Sequence, residues 1–345
     1  MKRLVSPRFS LNVFMGLVAL TAPWMAPLGA FAQTAQTAQT AHVTPTAWPT
    51  QTVKIVVPTG PGSSLDLIAR LLNDKLSARW GHPVVVENKP GAGGMLGLDV
   101  AAKSTDGHTV AIGFNGPVAN ASFLYKKTPY DPARDLKPIV MTTSQANVLA
   151  VNAEKVPAKT ARELAAWLKG QAGKANYASL GNGSSAHLTM ELFLSEANAQ
   201  ATHVPFNGSP PAALSVAQGE AHATFMVAPA LLPFVQSGKI RLIAVSSKQR
   251  LEALKDVPTL AESGFPAVES LAWNGLLGPA SMTDAVANKI NADVNALLAT
   301  DEVKQALLRQ GMTVVGGSPA DFKRVIDGDM ARWGPVIKRL GVTLD

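Results

Sequence analysis

A run of β-branched residues at 53–57 passes through a glycine-rich loop into a stretch over 65–80 with helical spacing, carrying Leu65, Ile68, Ala69, Leu72 and Leu76 on one face. This strand-loop-helix unit constrains the fold more than any other feature of the chain. Segments 84–86, 109–114 and 148–151 read as further strands separated by helical spacing. Strands alternating with helices predict an α/β fold whose parallel sheet is joined by crossovers, with ligands bound beyond the carboxyl ends of the strands. Even with residues 1–32 removed, the 345-residue chain exceeds the size at which one hydrophobic core usually stops growing. Two lobes are therefore expected.

Lys2, Arg3 and Arg8 precede an apolar run over 11–28, followed by Ala30-Phe31-Ala32. That order is the pattern of a secretory signal peptide cut near Gln33. A retained membrane anchor is the alternative, but Asn12, Thr21, Pro23 and Pro27 interrupt the run. There is no twin-arginine pair, and without cysteine no lipid-modified cysteine at the cleavage site. Export to the periplasm is expected. Residues 33–51 repeat Gln-Thr-Ala and carry Pro45 and Pro49, a leader too poor in large apolar residues to pack. The folded body is expected to start near Thr52.

The absence of cysteine removes disulfides, thiolate nucleophiles and cysteine-ligated metals from consideration. Lys2, Arg3 and Arg8 supply three of the net charges in a total of +7, and the remaining bases are scattered. Without a basic cluster, and with 6% aromatic residues, nucleic-acid binding has no footprint here. A weakly basic exterior instead favours anionic solutes.

Two strand-to-helix loops carry the candidate chemistry. The first is Pro58-Thr59-Gly60-Pro61-Gly62-Ser63-Ser64-Leu65-Asp66. Its glycines permit a close turn, and Ser63 or Ser64 can cap the helix with amides facing the cleft, where a helix N-terminus attracts anions. Asp66 reads either as a ligand contact or as the capping-box partner of Ser63, bracing the loop. The second, Tyr177-Ala178-Ser179-Leu180-Gly181-Asn182-Gly183-Ser184-Ser185-Ala186-His187, repeats the combination of glycines, hydroxyls and helix start. Neither loop contains Lys or Arg, nor does the turn Gly113-Phe114-Asn115-Gly116-Pro117. A bound anion would rest on backbone amides, hydroxyls and the amide groups of Asn115 and Asn182.

Competing chemistries fit less well. Gly91-Ala92-Gly93-Gly94-Met95-Leu96-Gly97 fails the dinucleotide pattern because Leu96 stands at the third glycine, so no cofactor is expected. Ser184, Ser185 and His187 are the nearest approach to a hydrolase, but no nucleophile elbow frames them. His187 is read instead as capping or packing in its helix. His187 and Glu191 form an i, i+4 pair without a third metal ligand.

Several ordered segments resemble the substrate-binding proteins of tripartite tricarboxylate transporters, the Bug family. Pro61-Gly62-Ser63-Ser64-Leu65-Asp66-Leu67-Ile68-Ala69-Arg70 resembles the family's P-G-G-x-x-D-x-x-A-R segment, and Val85-Val86-Glu87-Asn88-Lys89-Pro90-Gly91-Ala92-Gly93-Gly94 its V-E-N-[KR]-P-G-A-G-G run. Pro129-Tyr130-Asp131-Pro132, the second loop through His187, His203-Val204-Pro205-Phe206-Asn207-Gly208 and Asp256-Val257-Pro258-Thr259 are similar to later family segments. The resemblance covers nearly the whole chain after the leader. It implies a two-lobe periplasmic solute-binding protein fold of type II, with a hinge and an interlobe cleft, that delivers a small organic carboxylate to membrane permease subunits. The ligand contacts it implies fall on Thr59, Gly62, Ser63, Ser64, Asn115, Ser179, Asn182 and Ser184. Asp66, Gly183, His187 and Asn207 complete the candidate set. Ser63 departs from the second glycine of P-G-G, and Phe206-Asn207 from the family's Tyr followed by Lys or Arg.

The expected partition is one lobe over 52–147 and 273–345 and a second over 148–272, with Trp273 buried where the chain crosses back. Helices are expected over 284–298, 301–310 and 318–340, the last broken near Pro335. A monomeric, non-enzymatic receptor without metal or cofactor is the leading expectation. A periplasmic sensor feeding a signalling partner, and more remotely a secreted hydrolase, are the alternatives.

Overall fold

The computed structural model describes residues 48–344. The signal peptide expected over 1–32, and the leader expected over 33–51 as far as residue 47, lie outside the described residues. Trp48 is buried edge-on against Trp80, ring centroids 4.9 Å apart, and donates Nε1–H to the Gly107 carbonyl at 2.9 Å. Trp48, ahead of Thr52, is therefore already part of the packed body.

The chain opens with β1 (Val53–Val57), α1 (Ser64–Trp80), β2 (Val84–Asn88), α2 (Met95–Ala102), β3 (Thr109–Phe114) and the short helices α3 (Ala121–Leu124) and α4 (Pro132–Asp135). A 17-residue strand, β4 (Leu136–Asn152), leads into α5 (Ala161–Gln171), β5 (Asn176–Ser179), α6 (Ser185–Ala197), β6 (Thr202–Pro205), α7 (Ser209–Ala217), β7 (Ala223–Val227), α8 (Ala228–Gln236) and β8 (Ile240–Val245). The strand β9 (Leu271–Pro279) returns, followed by α9 (Asp284–Leu298), α10 (Asp301–Arg309), β10 (Thr313–Val314) and α11 (Pro319–Leu340).

Local signals set these bounds. In α1, Ser63 caps the start and Gly81 ends the helix at φ 69°, a left-handed conformation that suits glycine. The face predicted from spacing is the buried one: Ile68, Leu72 and Leu76 are closed from solvent, each side chain contributing about 2 kcal/mol over exposure. α11 continues through Pro335, so the expected break is corrected. Proline removes one backbone bond, but buried Trp333 and Ile337 anchor the helix on either side of it.

The sheet order is β2-β1-β3-β9-β4-β7-β5-β6, with β8 and β10 also pairing β4. β1 pairs β2 and β3 in parallel, and β5 pairs β6 and β7 in parallel, as crossovers require. The expectation of a parallel sheet throughout is corrected, because β4 and β9 run antiparallel to every strand they pair. β4 belongs to both halves of the sheet. As far as Ala146 it pairs β9, and from Asn147 onward it pairs β7. The changeover sits beside Leu271, so two adjacent extended segments carry the chain between the halves. Helices α9 and α11 pack on β4, and α11 also reaches α6.

Candidate ligand-binding site

The first loop is held rigid from inside. Ser63 Oγ accepts the Asp66 N–H at 3.3 Å and lies 2.6 Å from Thr59 Oγ1. Asp66 does not complete a reciprocal capping box: its carboxylate accepts the Gly62 N–H at 2.9 Å, together with Arg70 Nε–H at 3.0 Å and Asn88 Nδ2–H at 3.0 Å. Asn88 Nδ2 also donates to the Thr59 carbonyl at 3.0 Å. Burial alone would raise the Asp66 carboxyl, but Arg70, the Gly62 amide and Asn88 outweigh it and hold the group below its usual value. Asp66 is thus a charged brace with its oxygens engaged. Among the described residues, no acceptor is found for the N–H groups of Ser64 and Leu65 at the start of α1.

The second loop repeats this construction with neutral groups. Ser184 caps α6, accepting the His187 N–H at 3.3 Å and donating Oγ–H to the Gly181 carbonyl at 2.7 Å. His187 Nδ1 accepts the Gly183 N–H at 3.1 Å, which identifies His187 as a brace for its own loop. Its ring stacks on His203 with centroids 3.8 Å apart, and His203 Nε2 lies 2.7 Å from Ser179 Oγ. Burial pushes His187 down to about 3, with His203 adding to the effect, and pushes His203 down to about 4, so both rings are neutral at pH 7. The Ser184 hydroxyl proton goes to the Gly181 carbonyl and His187 Nδ1 to the Gly183 N–H, so hydroxyl and ring are not bonded to each other as a nucleophile and its base would be. Glu191 accepts the Tyr177 hydroxyl, and among the described residues no three His, Cys, Asp or Glu groups gather for a metal. The amides of Ser185 and Ala186 have no acceptor among the described residues.

The loops of the two halves touch. Gly60 N–H donates to the Asn207 carbonyl at 3.1 Å, so Asn207 joins the first loop through its backbone while its side chain is exposed. The glycine run after β2, which fails the dinucleotide pattern, reaches the second loop: a Cβ on Gly93 would stand 2.8 Å from the Asn182 carbonyl. Asn120 Nδ2 donates to the Gly183 carbonyl at 2.9 Å. Asn115 lies elsewhere in the network, its Oδ1 accepting the Trp273 N–H at 3.1 Å and its Nδ2 donating to Asp329 and to the Leu271 carbonyl at 3.4 Å. Trp273 is buried on the return strand as expected, and its Nε1–H donates to Asp329 Oδ2 at 2.7 Å.

Sequence reading missed Gln145, Asn147 and Ser270. All three are buried and carry side-chain atoms without a partner among the described residues. The available signal was Gln145-Ala146-Asn147-Val148, two amides at alternate positions of an apolar strand, which places both on one face.

The family profile described as the tripartite tricarboxylate transporter family receptor matches residues 68–342. The chain belongs to this family. The receptor is 33% identical to BugT of Bordetella pertussis over 322 residues, 93% of this chain and 98% of BugT. Its fold matches an R. palustris protein solved with adipate, at a TM-score of 0.82 and 32% identity over 86% of this chain and 99% of that one. It also matches MatC from Rhodopseudomonas palustris, solved with bound malate, at a TM-score of 0.80 and 28% identity over 84% and 100% of the two chains. The receptor therefore has the two-lobe solute-binding fold.

Proposed function

We propose that this receptor captures a small organic carboxylate in the periplasm and presents it, as a monomer and without chemical change, to the membrane permease of a tripartite transporter. The observation that carries the reading is the pair of serine-capped helix starts, α1 and α6, each with open amides and each in a loop free of Lys and Arg. Such amides bind a carboxylate through the positive end of the helix and release it readily. The adipate and malate carried by the two solved relatives support this class. In this reading one lobe comprises residues 52–147 and 273–345 and the other 148–272. Thr59, Ser63, Ser184 and His187 position the loops. The amides of Ser64, Leu65, Ser185 and Ala186 hold the anion.

The test deletes an amide without disturbing its helix. Proline is well tolerated at the first helical position, and the extended backbone of Ser63, at ψ 162°, suits a residue preceding proline. Ser64→Pro is expected to weaken carboxylate binding about tenfold, the worth of one hydrogen bond to a charged group, while leaving the melting temperature unchanged. Ser64→Ala, which keeps the amide, controls for loss of the hydroxyl. The ligand comes from a thermal-shift screen of di- and tricarboxylates, aromatic acids, amino acids and sugars, in which a solute at 100 times its Kd stabilises the fold by about 2.7 kcal/mol. Shifts confined to sugars would remove the carboxylate reading.

A further inference from the structure

The segments joining the two halves carry polar side chains for which no partner is found among the described residues. Asn147 is fully buried, yet neither its Oδ1 nor its Nδ2 has a hydrogen bond. Gln145 Oε1 and Ser270 Oγ are likewise buried and unpaired. Buried amides and hydroxyls are nearly always satisfied, so a cluster left open at one place marks a position where something else completes it.

The fold brings the residues that carry these groups close in the main chain. Gln145 and Asn147 alternate on β4 and share a face. Gln145 Nε2 lies 3.4 Å from Ser64 Oγ, which directs that face toward the start of α1, where the Ser64 and Leu65 amides are open. Asn147 and Ser270 are tied through Ser246. Asn147 N–H donates to Ser246 Oγ at 3.0 Å, and Ser246 Oγ–H donates to the Ser270 carbonyl at 2.5 Å. No Lys or Arg belongs to this set.

Two of the open atoms, Gln145 Oε1 and Asn147 Oδ1, are acceptors only. A bare carboxylate brings no donor to them and would face them with further negative charge. A hydroxyl or an amide offers a donor and also accepts from Asn147 Nδ2 and Ser270 Oγ.

We propose that Gln145, Asn147 and Ser270 form a specificity subsite that reads a neutral hydrogen-bond donor on the bound acid, so that the preferred solute is a hydroxy or amide carboxylate rather than a bare carboxylate. The inference rests on the carboxylate reading above and names the solute class within it.

Calorimetry of the purified protein with matched pairs tests it: succinate against malate, glutarate against 2-hydroxyglutarate, benzoate against 4-hydroxybenzoate, and adipate against its monoamide. The donor-bearing member of at least one pair is expected to bind tenfold or more tightly than its bare partner. Asn147→Leu is expected to reduce that preference to below threefold. Because Asn147 has no partner to lose, the same variant should melt no lower than the parent; a purely structural asparagine would give a lower melting temperature. Gln145→Met provides a second, less buried route to the same loss of preference. Bare acids binding as tightly as their partners in every pair would overturn the proposal, as would variants that weaken both members equally. Silence from both members of every pair would remove this inference together with the carboxylate reading, an outcome distinct from binding without preference.

Discussion

At the scale of single residues, the site is built by groups that hold loops in place and leave amides free. His187 and His203 illustrate the cost. Both are held neutral by burial, His187 at about 3 and His203 at about 4, against an ordinary value of 6.5. The unfolded chain therefore binds protons on these rings at a pH where the folded chain does not. Their contribution to stability is complete above about 6.5 and is lost progressively as pH falls toward 4 and below. Glu191, raised by burial against the Tyr177 hydrogen bond, acts in the opposite sense. The melting temperature is expected to drop on acidification below about pH 6.5, and His187→Gln should flatten the drop. An identical fall in the variant would assign the effect to other groups. Part of this is legible in residue identity: Ser63 is one of two cap candidates, Asp66 reads as a brace or a ligand contact and His187 as capping or packing in its helix, whereas the choice of Ser184 as the cap of α6 comes only with the structure. Gln145, Asn147 and Ser270 were not readable in the same way, because a polar residue in a strand declares its meaning only when its neighbours are seen to leave it unpaired.

At the scale of elements, the strands at 53–57 and 109–114 and the helix at 284–298 were legible because each is set by a local period and a local stop. β4 was legible only over 148–151. Its first half contains Pro138 and has register irregularities on either side of Val140 and Met141, so its extended course is dictated by pairing with β9 rather than by alternation. The antiparallel course of β9 is likewise a tertiary fact. α11 was foreseen, but its continuity through Pro335 depends on packing. That helix also supplies Asp329, which accepts from Trp273 Nε1 and Asn115 Nδ2. Burial raises its carboxyl despite both bonds. Asp329→Ala would leave Trp273 Nε1 without an acceptor and Asn115 Nδ2 with only the Leu271 carbonyl at 3.4 Å, and is expected to cost about 2 kcal/mol in equilibrium urea unfolding. A change within about 0.5 kcal/mol would show that water satisfies both donors.

At the scale of the whole molecule, backbone approaches are among the contacts by which the two halves meet. Gly60 donates to Asn207, and Gly93 passes close to the Asn182 carbonyl with φ 63°. A methyl group at Gly93 would stand 2.8 Å from that carbonyl oxygen, so Gly93→Ala is expected to hold the cleft apart and weaken ligand binding about tenfold. The accompanying loss of fold stability should stay near about 1 kcal/mol, the cost of the backbone conformation itself. Unchanged affinity with a lowered melting temperature would place the contact outside the binding-competent form.

The segments joining the halves are not loose linkers. β4 and β9 remain bonded to one another through Gln145–Ala272 and Ala146–Leu271, right up to the point where the chain passes from one half to the other. A pair of strands joined by rungs behaves as a leaf spring: it flexes and twists over its length and stores a little energy in every degree of bend. Opening of this receptor is accordingly expected to be shallow and self-reversing, with recoil supplied by the ribbon, so that the cargo need only supply the last increment that keeps the jaws shut.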